Sequence, residues 1–200
     1  MPSPSPSQAS DIAGLILALA REDATARETA AAEIFQRGCD LTASVCLKWL
    51  TNADLKSMFV HAARDKLHAT VGVAVPPERF EGIRQANGTP PLADVPPDQD
   101  AVEFELDFPN EIRLDVLTTR DVNGNGAIAK YLQKFGAGIQ QVEFLVTDVD
   151  KATAILRKGF GVQPIYPQTR RGANNTRVNF FLIPTPENKK VLIEFVEALP

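Results

Sequence analysis

The sequence predicts an α+β fold in which a β-α-β-β-β module occurs twice, preceded by an all-α extension. Two observations predict it: a clear alternation of strand and helix patterns at the C-terminus, and a weaker copy of the same order upstream. The clear copy starts with an apolar, β-rich run over 139–146. Asp148 is a suitable N-cap for an amphipathic helix over 151–158, which Gly159 and Gly161 can end.

Three strands are predicted after this helix, over 162–166, 177–184 and 190–198, and they complete the module. The weaker copy lies in 67–119. Its first strand alternates valines with small residues, which places the two sets on opposite faces. We expect the valines to pack beneath a short helix over 78–85, and the small residues to face the other side of the sheet.

The stretch 87–100 interrupts the first module, because it is rich in proline, which cannot donate a hydrogen bond to a strand ladder. An irregular loop with at most a short edge strand is expected there. Strands over 101–108 and 112–118 follow. In the first of them apolar residues alternate with acids, as in a half-exposed strand; the acids are Glu103, Glu105 and Asp107.

The N-terminal part divides into an expected disordered tail, residues 1–9, and a helical extension, residues 10–63. The tail alternates proline with serine, which favours an extended, unpacked chain. The pattern over 23–38 resembles one HEAT-type repeat, whereas a solenoid needs about three repeats to be stable. The extension is therefore expected to be a cap on the sheet or on a dimer mate, and a protein-docking surface is the alternative.

Helix boundaries within the extension are predicted from capping residues. Ser10 or Asp11 caps the first helix. Asp23 is expected to cap the second helix, and Gly38 to end it. A third helix follows, and Asn52 is a suitable start for a fourth.

Charge and composition exclude some classes of function. The 21 basic and 25 acidic side chains give a net charge of −4, so the chain lacks the basic face that binds nucleic acid without sequence preference. The longest apolar run, 12–20, is too short to span a bilayer, and the N-terminus lacks the basic region of a signal peptide. A cytoplasmic location is expected, with Cys39 and Cys46 as buried thiols rather than a disulfide.

Four strings near the C-terminus carry a family resemblance. They are Ala-Ile-Ala-Lys-Tyr-Leu-Gln at 127–133, Gly-Ile-Gln-Gln-Val at 138–142, Arg-Val-Asn-Phe-Phe-Leu-Ile-Pro at 177–184, and Val-Leu-Ile-Glu-Phe at 191–195. They resemble the vicinal-oxygen-chelate superfamily, which includes glyoxalase I, extradiol dioxygenases and methylmalonyl-CoA epimerase. The epimerases are the most similar members over residues 127–200.

The resemblance implies a single glyoxalase-like domain over 66–200. Modules 67–119 and 138–200 would be joined by a linker helix over 126–136. The two modules of this superfamily form a cup, and four residues on its inner face bind a divalent metal. Those residues come from the first and the last strand of each module.

The residues that match the four ligand positions depart from the family pattern. Thr70 and Gln141 stand where the epimerases have histidines, Glu194 keeps the family's residue type, and Asp115 or Leu117 fills the remaining position. Because imidazole suits zinc, iron and cobalt, the resemblance implies a degenerate metal set of Gln141, Glu194 and Asp115. We expect that no cofactor is retained, or that Mg²⁺ or Mn²⁺ binds weakly.

Other polar residues are expected around this cup. Period two places Glu143 beside Gln141 and Arg113 beside Asp115, and Asn179 is expected on a neighbouring strand near Glu194. Four explanations for the acids remain open: a bound hard cation, a bidentate pair with Arg113, a carboxyl that stays protonated as an acid or base requires, or a wide cup with solvated acids. His68 is expected to be a strand-end residue rather than a substitute ligand.

Two loops have competing interpretations. Arg170 and Arg171 begin a polar loop and are candidates to bind a phosphate or carboxylate of a ligand; a solvated loop is the alternative. The stretch 124–129 matches the dinucleotide-binding fingerprint, with Asp148 as the distal acid. Because several residues separate the preceding strand from the first glycine, a flexible linker between the modules is the favoured interpretation.

The leading hypothesis is a glyoxalase-like small-molecule-binding protein with a degenerate metal site and no required catalysis. The alternative is an epimerase, isomerase or lyase that acts on an acyl thioester or 2-oxo acid, with Glu194, Glu143 and Asp115 as acid and base groups. A third hypothesis is an interaction module that uses its N-terminal helices. A homodimer is expected, and a protein partner for the N-terminal helices is an open alternative.

Overall fold

The computed structural model describes residues 7–61, 67–184 and 190–198, with side chains from residue 12 onward. Its helices are α1 (Ser7–Ala18), α2 (Ala24–Trp49), α3 (Ala53–Met58), α4 (Pro77–Ala86), α5 (Ala127–Phe135) and α6 (Val149–Phe160). Its strands are β1 (Ala69–Ala74), β2 (Val102–Phe108), β3 (Ile112–Thr118), β4 (Gly138–Leu145), β5 (Arg170–Arg171), β6 (Arg177–Pro184) and β7 (Lys190–Glu197). None of the helices within these ranges has the length and apolar character needed to cross a membrane.

These strands form one curled sheet with the order β2-β3-β1-β4-β7-β6-β5. β1 is parallel to β3, and β4 is parallel to β7. β1 and β4 pair antiparallel in the middle of the sheet. The two halves therefore repeat one pairing pattern in opposite directions, as expected of two modules related by a pseudo-twofold axis. The predicted α+β fold with an N-terminal helical region is confirmed.

The two modules differ in their strands. In the first, the stretch 87–100 is irregular, as expected, and the module consists of β1, α4, β2 and β3. In the second module, the prediction of a strand over 162–166 is wrong. That segment makes one isolated bridge, between Pro164 and Phe181. The edge strand is instead β5, which lies in the expected polar loop. Proline lacks the N–H that a regular strand needs, which explains the shift.

Helices cover one face of the sheet. Val71 and Val73 of β1, and Val75 directly after it, share one core with α1, α2 and α4, as the alternation predicted. Gly38 lets the middle of α2 approach β1 closely, since a Cβ on Gly38 would lie 2.5 Å from Cγ2 of Val71. The helical extension is thus a cap on the sheet. We call this covered side the helix face.

An aromatic cluster fixes the helix face of the second module. Phe195 of β7 lies among Trp49, Phe59 and Phe181, with ring centroids 5.7, 5.4 and 5.0 Å away. Edge-on and tilted aromatic pairs of this kind contribute about 0.5–1.5 kcal/mol each beyond the burial of their area. The C-terminal end of α2 and the segment after α3 are therefore held against β7.

The second helix is longer than expected. The predicted helix end at Gly38 is wrong, because α2 continues through it to Trp49. Gly38 serves the close packing on β1 rather than a C-cap. The second and third helices predicted for the extension are consequently one helix. Asp23 and Asn52 do cap α2 and α3 as expected, each accepting a hydrogen bond from a backbone N–H.

The start of the chain also differs from expectation. α1 begins at Ser7, before the expected caps Ser10 and Asp11 and inside the stretch expected to be disordered. The rest of that tail, residues 1–6, and the end of the extension at 62–66 lie outside the described residues. Cys39 is half-buried and Cys46 is buried, and both are thiols rather than partners in a disulfide.

The dinucleotide-binding interpretation of 124–129 is wrong. A β-α-β unit of that fold joins parallel strands. Here β3 is parallel to β1, which is antiparallel to β4, so the strands before and after the glycines run in opposite directions. Gly126 instead precedes α5 and lies close to Asp100, where a Cβ would be 2.8 Å from the Asp100 Cβ.

Candidate functional site

Acidic side chains meet on the side of the sheet opposite the helix face, which we call the cup face. The strand register places them: Thr70 of β1 pairs with Glu143 of β4, and Glu143 pairs with Glu194 of β7. Residues directly opposite on neighbouring strands share a face. These three side chains therefore form a row across the centre of the sheet, pointing away from Phe195.

A second row crosses the cup face at Gly72. Gly72 pairs with Asp115 of β3 on one side and with Gln141 of β4 on the other. Because Gly72 has no side chain, Gln141 can lie over it: a Cβ there would be 2.5 Å from Cγ of Gln141 and 3.0 Å from Cδ1 of Leu117. Glycine at this position thus makes room for the Gln141 amide among the acids.

Gln141 joins two carboxyl groups. Its Nε2 donates to Oε1 of Glu143 at 2.9 Å and to Oε2 of Glu194 at 2.8 Å. An amide NH₂ group carries two hydrogens, so one nitrogen serves both acids. Gln141 and Glu194 are buried, with 6% and 8% of their surface exposed. The amide therefore stabilises two acids that would otherwise only repel each other.

Burial raises the pKa of each carboxyl in what we call the cup cluster, formed by Glu103, Asp115, Glu143 and Glu194. The pKa values of Asp115 and Glu194 lie well above the usual range, first because of burial and then because of neighbouring acids. Burial raises the pKa of Glu143 to about 8 and that of Glu103 to about 7. At neutral pH the cluster therefore keeps protons on part of its carboxyl groups.

Asp115 is the acid with the poorest surroundings. It is 5% exposed, and its Oδ1 has no hydrogen-bond partner among the described residues. Because an unpaired buried carboxylate is strongly unfavourable, burial and the neighbouring acids raise the pKa of Asp115 and favour its protonated form.

Arg113 does not compensate the cup cluster. Its Nε lies 3.5 Å from Oδ1 of Asp107 at the rim. No cationic side chain of the described residues is among the influences on the pKa values of Asp115, Glu143 and Glu194. The alternative of a bidentate pair between Arg113 and the central acids is therefore not realised.

The cup cluster does not form a ready metal site. Within the described ranges, no group of three or more His, Cys, Asp or Glu side chains converges on one cation position. Gln141 turns its NH₂ group toward Glu143 and Glu194, whereas a hard cation needs oxygen atoms. As placed, these residues do not fit a bound divalent metal. Weak binding of Mg²⁺ or Mn²⁺ stays a prediction.

Asn179 does not face the cup. It pairs with Phe195 and lies on the same side of β6 as Phe181, which is the helix face. The residue of β6 that pairs with Glu194 is Phe180. The expected position of Asn179 beside Glu194 is therefore wrong by one residue, and in a strand one residue changes the face.

The remaining predicted positions lie along the first module. Asp115 and Leu117 both lie on the cup side of β3, two residues apart. Leu117 belongs to a small apolar cluster, so Asp115 is the polar group at the ligand position. His68 directly precedes β1, as expected of a strand-end residue. Burial and the charge of Arg113 lower the pKa of His68.

Arg170 and Arg171 form β5 at the edge of the sheet. Arg170 pairs with Asp98, and its guanidinium lies 4.6 Å from the centre of the Tyr166 ring. Nη2 of Arg171 is 3.9 Å from Oδ2 of Asp94. Both acids belong to the proline-rich loop before β2, so neither arginine is simply solvated. A ligand-binding role for these arginines stays a prediction.

Sequence reasoning missed two acids of this site. Glu105 pairs with Asp115 across β2 and β3, and Glu103 pairs with Leu117, so both lie on the cup side. Burial raises the pKa of Glu105 as well as that of Glu103. The alternation in β2 signals that these acids share a face. Only the pairing register, which the sequence does not display, places that face beside Asp115.

Solved structures share this fold. Methylmalonyl-CoA epimerase from Mycobacterium tuberculosis is 33% identical, with a TM-score of 0.53, over 66% of this chain and 87% of that chain. The chain belongs to the vicinal-oxygen-chelate superfamily. No protein-family model and no curated protein matches it.

Two further solved structures are similar to this chain in fold alone. A hypothetical protein from Bacillus halodurans C-125 has a TM-score of 0.53 and 24% identity, over 66% of this chain and 93% of its own. A variant of Streptomyces coelicolor methylmalonyl-CoA epimerase, in complex with 2-nitronate-propionyl-CoA, has a TM-score of 0.51 and 23% identity, over 66% and 96%. The cup of this chain holds a threonine, Thr70, and an amide, Gln141, where the family resemblance implies histidines.

Proposed function

We propose that this protein is a glyoxalase-like small-molecule-binding protein whose cup binds its ligand through carboxyl and amide groups, without a histidine-bound metal. The observation that carries the proposal is the bridge from Gln141 to Glu143 and Glu194. A protonated acid donates a hydrogen bond and an ionised acid accepts one. The cup cluster therefore offers a polar ligand both kinds of group, and binding does not require turnover.

The wall next to the central acids supports an organic ligand. Phe180 pairs with Glu194 across β6 and β7, and its ring centre lies 5.9 Å from that of Tyr166. Ligand sites typically combine apolar and aromatic walls with a few convergent polar groups. The apolar part of a ligand can thus lie on Phe180 while its polar part reaches the cup cluster.

A second candidate is an epimerase or another isomerase or lyase acting on an acyl thioester or 2-oxo acid. The 33% identity with a methylmalonyl-CoA epimerase favours it. A group that transfers protons works best when its pKa is near the working pH, and the pKa of Glu143 is raised to about 8. Glu143 would take a proton from the carbon beside the carbonyl, and Glu194 or Asp115 would return one.

The proposal includes a homodimer located in the cytoplasm. The net charge of −4 and the cysteine thiols are compatible with that location. A protein partner for the N-terminal helices is less favoured. The apolar sides of α1 and α2 already pack on the sheet, through residues such as Ile16, Leu19, Ile34 and Trp49. Leu17 and Leu47 are the large apolar side chains that these helices leave exposed, at 53% and 70%.

Ligand-observed NMR with a library of small polar compounds tests the binding proposal. We expect compounds that bind the parent protein and lose affinity about tenfold in Glu194→Gln, which removes an ionisable group and keeps the shape. Glu197→Gln is the matched control, because Glu197 lies on the same strand but faces the other side. Binders that tolerate both changes equally would contradict a ligand site in the cup.

Deuterium exchange separates the two candidates. Methylmalonyl-CoA and pyruvate are incubated with the protein in D₂O, with and without EDTA, and the proton beside the carbonyl is followed. The epimerase-type candidate predicts exchange that survives EDTA and is lost in Glu143→Gln. Binding of either compound without exchange favours the binding protein, and the absence of both binding and exchange rejects these two substrate classes.

A further inference from the structure

The loop 94–100, which we call the strap, joins the two opposite edges of the sheet. The edge strands are β2 and β5, and six strand spacings of about 4.8 Å would separate them by about 29 Å in a flat sheet. Gln99, just before β2, nevertheless donates from Nε2 to the backbone oxygen of Arg171 in β5 at 2.9 Å. The curled edges therefore approach each other, and the strap connects them.

The strap crosses the open side of the cup. Pairing of β5 with β6 gives Arg170 the same face as Phe180, and Phe180 pairs with Glu194 of the cup cluster. The guanidinium of Arg170 stacks on Tyr166, which packs edge-on against Phe180. Because Asp98 of the strap binds this guanidinium, the strap lies over the cup face rather than the helix face.

The contacts at the far end of the strap are polar and largely exposed. Besides the pair of Asp98 with Arg170, Arg171 lies 3.9 Å from Asp94. The N–H of Asp94 donates to Oδ1 of Asn174 at 2.9 Å, and the N–H of Asn174 donates to the Asp94 carbonyl at 3.0 Å. Exposed ion pairs contribute about 0–1 kcal/mol each, so the pairs of Asp98 and Asp94 with β5 can break at low cost, whereas Val95 between them is buried, with 8% of its surface exposed.

The near end of the strap is fixed more firmly. Asp100 accepts hydrogen bonds from the hydroxyl of Thr119 and from the N–H of Arg120 at 3.1 Å. Pro96 and Pro97 restrict the backbone between the two ends. Directly before the strap, the N–H of Ala93 donates to the Glu103 carbonyl of β2 at 3.0 Å. Both ends therefore stay beside β2, and the turn at Asp98 is the part that can move away from Arg170.

We propose that the strap is a gate over the cup, and that an anionic group of the ligand opens it by replacing Asp98 on Arg170. The proposal rests on the proposed function only in taking the cup as the ligand site. Opening the strap frees the guanidinium of Arg170, which shares the cup face with Phe180 and whose acidic partner belongs to the strap. Guanidinium binds carboxylate and phosphate well, whereas the acidic cup cluster repels them.

The ligand class follows from this division of charge. The anionic end, a carboxylate or a phosphate, lies at the lip on β5. The other end is uncharged, polar and able to donate and accept hydrogen bonds, because it meets the cup cluster. A small dianion with charges at both ends would be excluded from the centre by Glu143 and Glu194.

A tryptophan in the cup tests the gate without any ligand. In Phe180→Trp, the new indole lies beneath the strap, whereas the native Trp49 is 1% exposed on the helix face and adds little quenching. We expect acrylamide to quench this reporter at least twice as strongly after Asp98→Asn. Asp107→Asn, the same change at an exposed rim acid that does not touch the strap, should have no effect. Equal quenching in the two variants would overturn the gate.

Inorganic phosphate tests the opening by anions. At constant ionic strength, phosphate in place of chloride should increase acrylamide quenching of the reporter, and Arg170→Gln should abolish that increase. The claim that an anion opens the strap would be overturned in two cases: a phosphate effect that persists in Arg170→Gln, or no phosphate effect in the Phe180→Trp protein. If Phe180→Trp lowers the melting temperature by more than about 8 °C, Leu192→Trp, on the cup side beside Gln141, replaces it. Because no ligand is involved, failure here leaves the proposed function separately testable.

Discussion

Glu194 and Phe195 are neighbours in β7, and they show how different the two faces of one sheet are. Phe195 is enclosed by three aromatic rings on the helix face. Glu194 is equally hidden on the cup face, but among acids, with one amide as its hydrogen-bond partner. Burial stabilises the fold at Phe195 and costs free energy at Glu194. Side chains that stabilise the fold therefore point to one face of the sheet, and the candidate functional side chains point to the other.

The largest expected effect is on the helix face. Phe195→Ala should lower the free energy of unfolding by about 3–5 kcal/mol, because it removes a fully buried ring and leaves a cavity. Urea denaturation followed by circular dichroism measures this. Leu182→Ala, at an apolar side chain that is 47% exposed, is the control and should cost less than about 1 kcal/mol. A similar cost for both variants would remove the distinction between the faces.

The next effect is a loss of stability in alkali that originates on the cup face. Burial raises the pKa of Glu143 to about 8 and that of Glu103 to about 7 from a usual 4.5, so the native state binds more protons than the unfolded state above pH 4.5. Stability is then full at low pH and falls as pH rises through 7 and 8. We expect a loss of about 2–4 kcal/mol between pH 5 and pH 9.

Urea denaturation at a series of pH values measures this loss. The double variant Glu143→Gln/Glu194→Gln should have a much flatter profile, since it removes two of the groups with raised pKa values. A parent profile that rises with pH between 5 and 8 would mean that the acids are compensated by a cation, and the account of the cup cluster would fail.

A third comparison uses one substitution on two faces of β7. At pH 8, Glu194→Gln should raise the free energy of unfolding by about 1–2 kcal/mol, because it relieves repulsion while Gln141 can still donate. Glu197→Gln should lower it by about 0.5–1.5 kcal/mol, since Glu197 accepts from Arg177 at 3.1 Å and from the N–H of Val149 at 2.9 Å. Destabilisation by Glu194→Gln would indicate a cationic partner for Glu194.

The smallest effect is expected at the rim of the cup. Arg113→Gln should change the free energy of unfolding by less than about 0.5 kcal/mol, because its pair with Asp107 is exposed to solvent. Thermal melts at low and high salt measure it. A loss above about 1.5 kcal/mol that disappears at high salt would show that Arg113 compensates the central acids after all.

Local patterns in the sequence were sufficient for the helix α6 of the second module. Asp148 caps α6, and Gly161 ends it in a left-handed conformation, as capping rules predict. The positions Thr70, Gln141 and Glu194 were placed on one face by strand alternation and by resemblance. These features depend on neighbours in sequence, which the sequence displays directly.

Features that depend on tertiary packing could not be predicted in the same way. Gly38 has the residue type of a helix end, yet it lies inside α2 because β1 approaches it there. In β6, Phe180 and Phe181 are adjacent and both apolar, so no alternation shows which face Asn179 takes. Glu103 becomes part of the acidic cluster only through the pairing of β2 with β3. Each case needed a contact between distant segments.

The central claim is that the acids of the cup share protons at neutral pH without a metal, and ¹³C NMR titration of the side-chain carboxyl carbons tests it directly. In the metal-free protein we expect a Glu resonance with an apparent pKa of about 8, coupled to a second step and absent in Glu143→Gln. The matched variant Glu197→Gln should retain it. A spectrum in which every Asp and Glu carboxyl titrates below about pH 5.5, near ordinary values, would contradict the account.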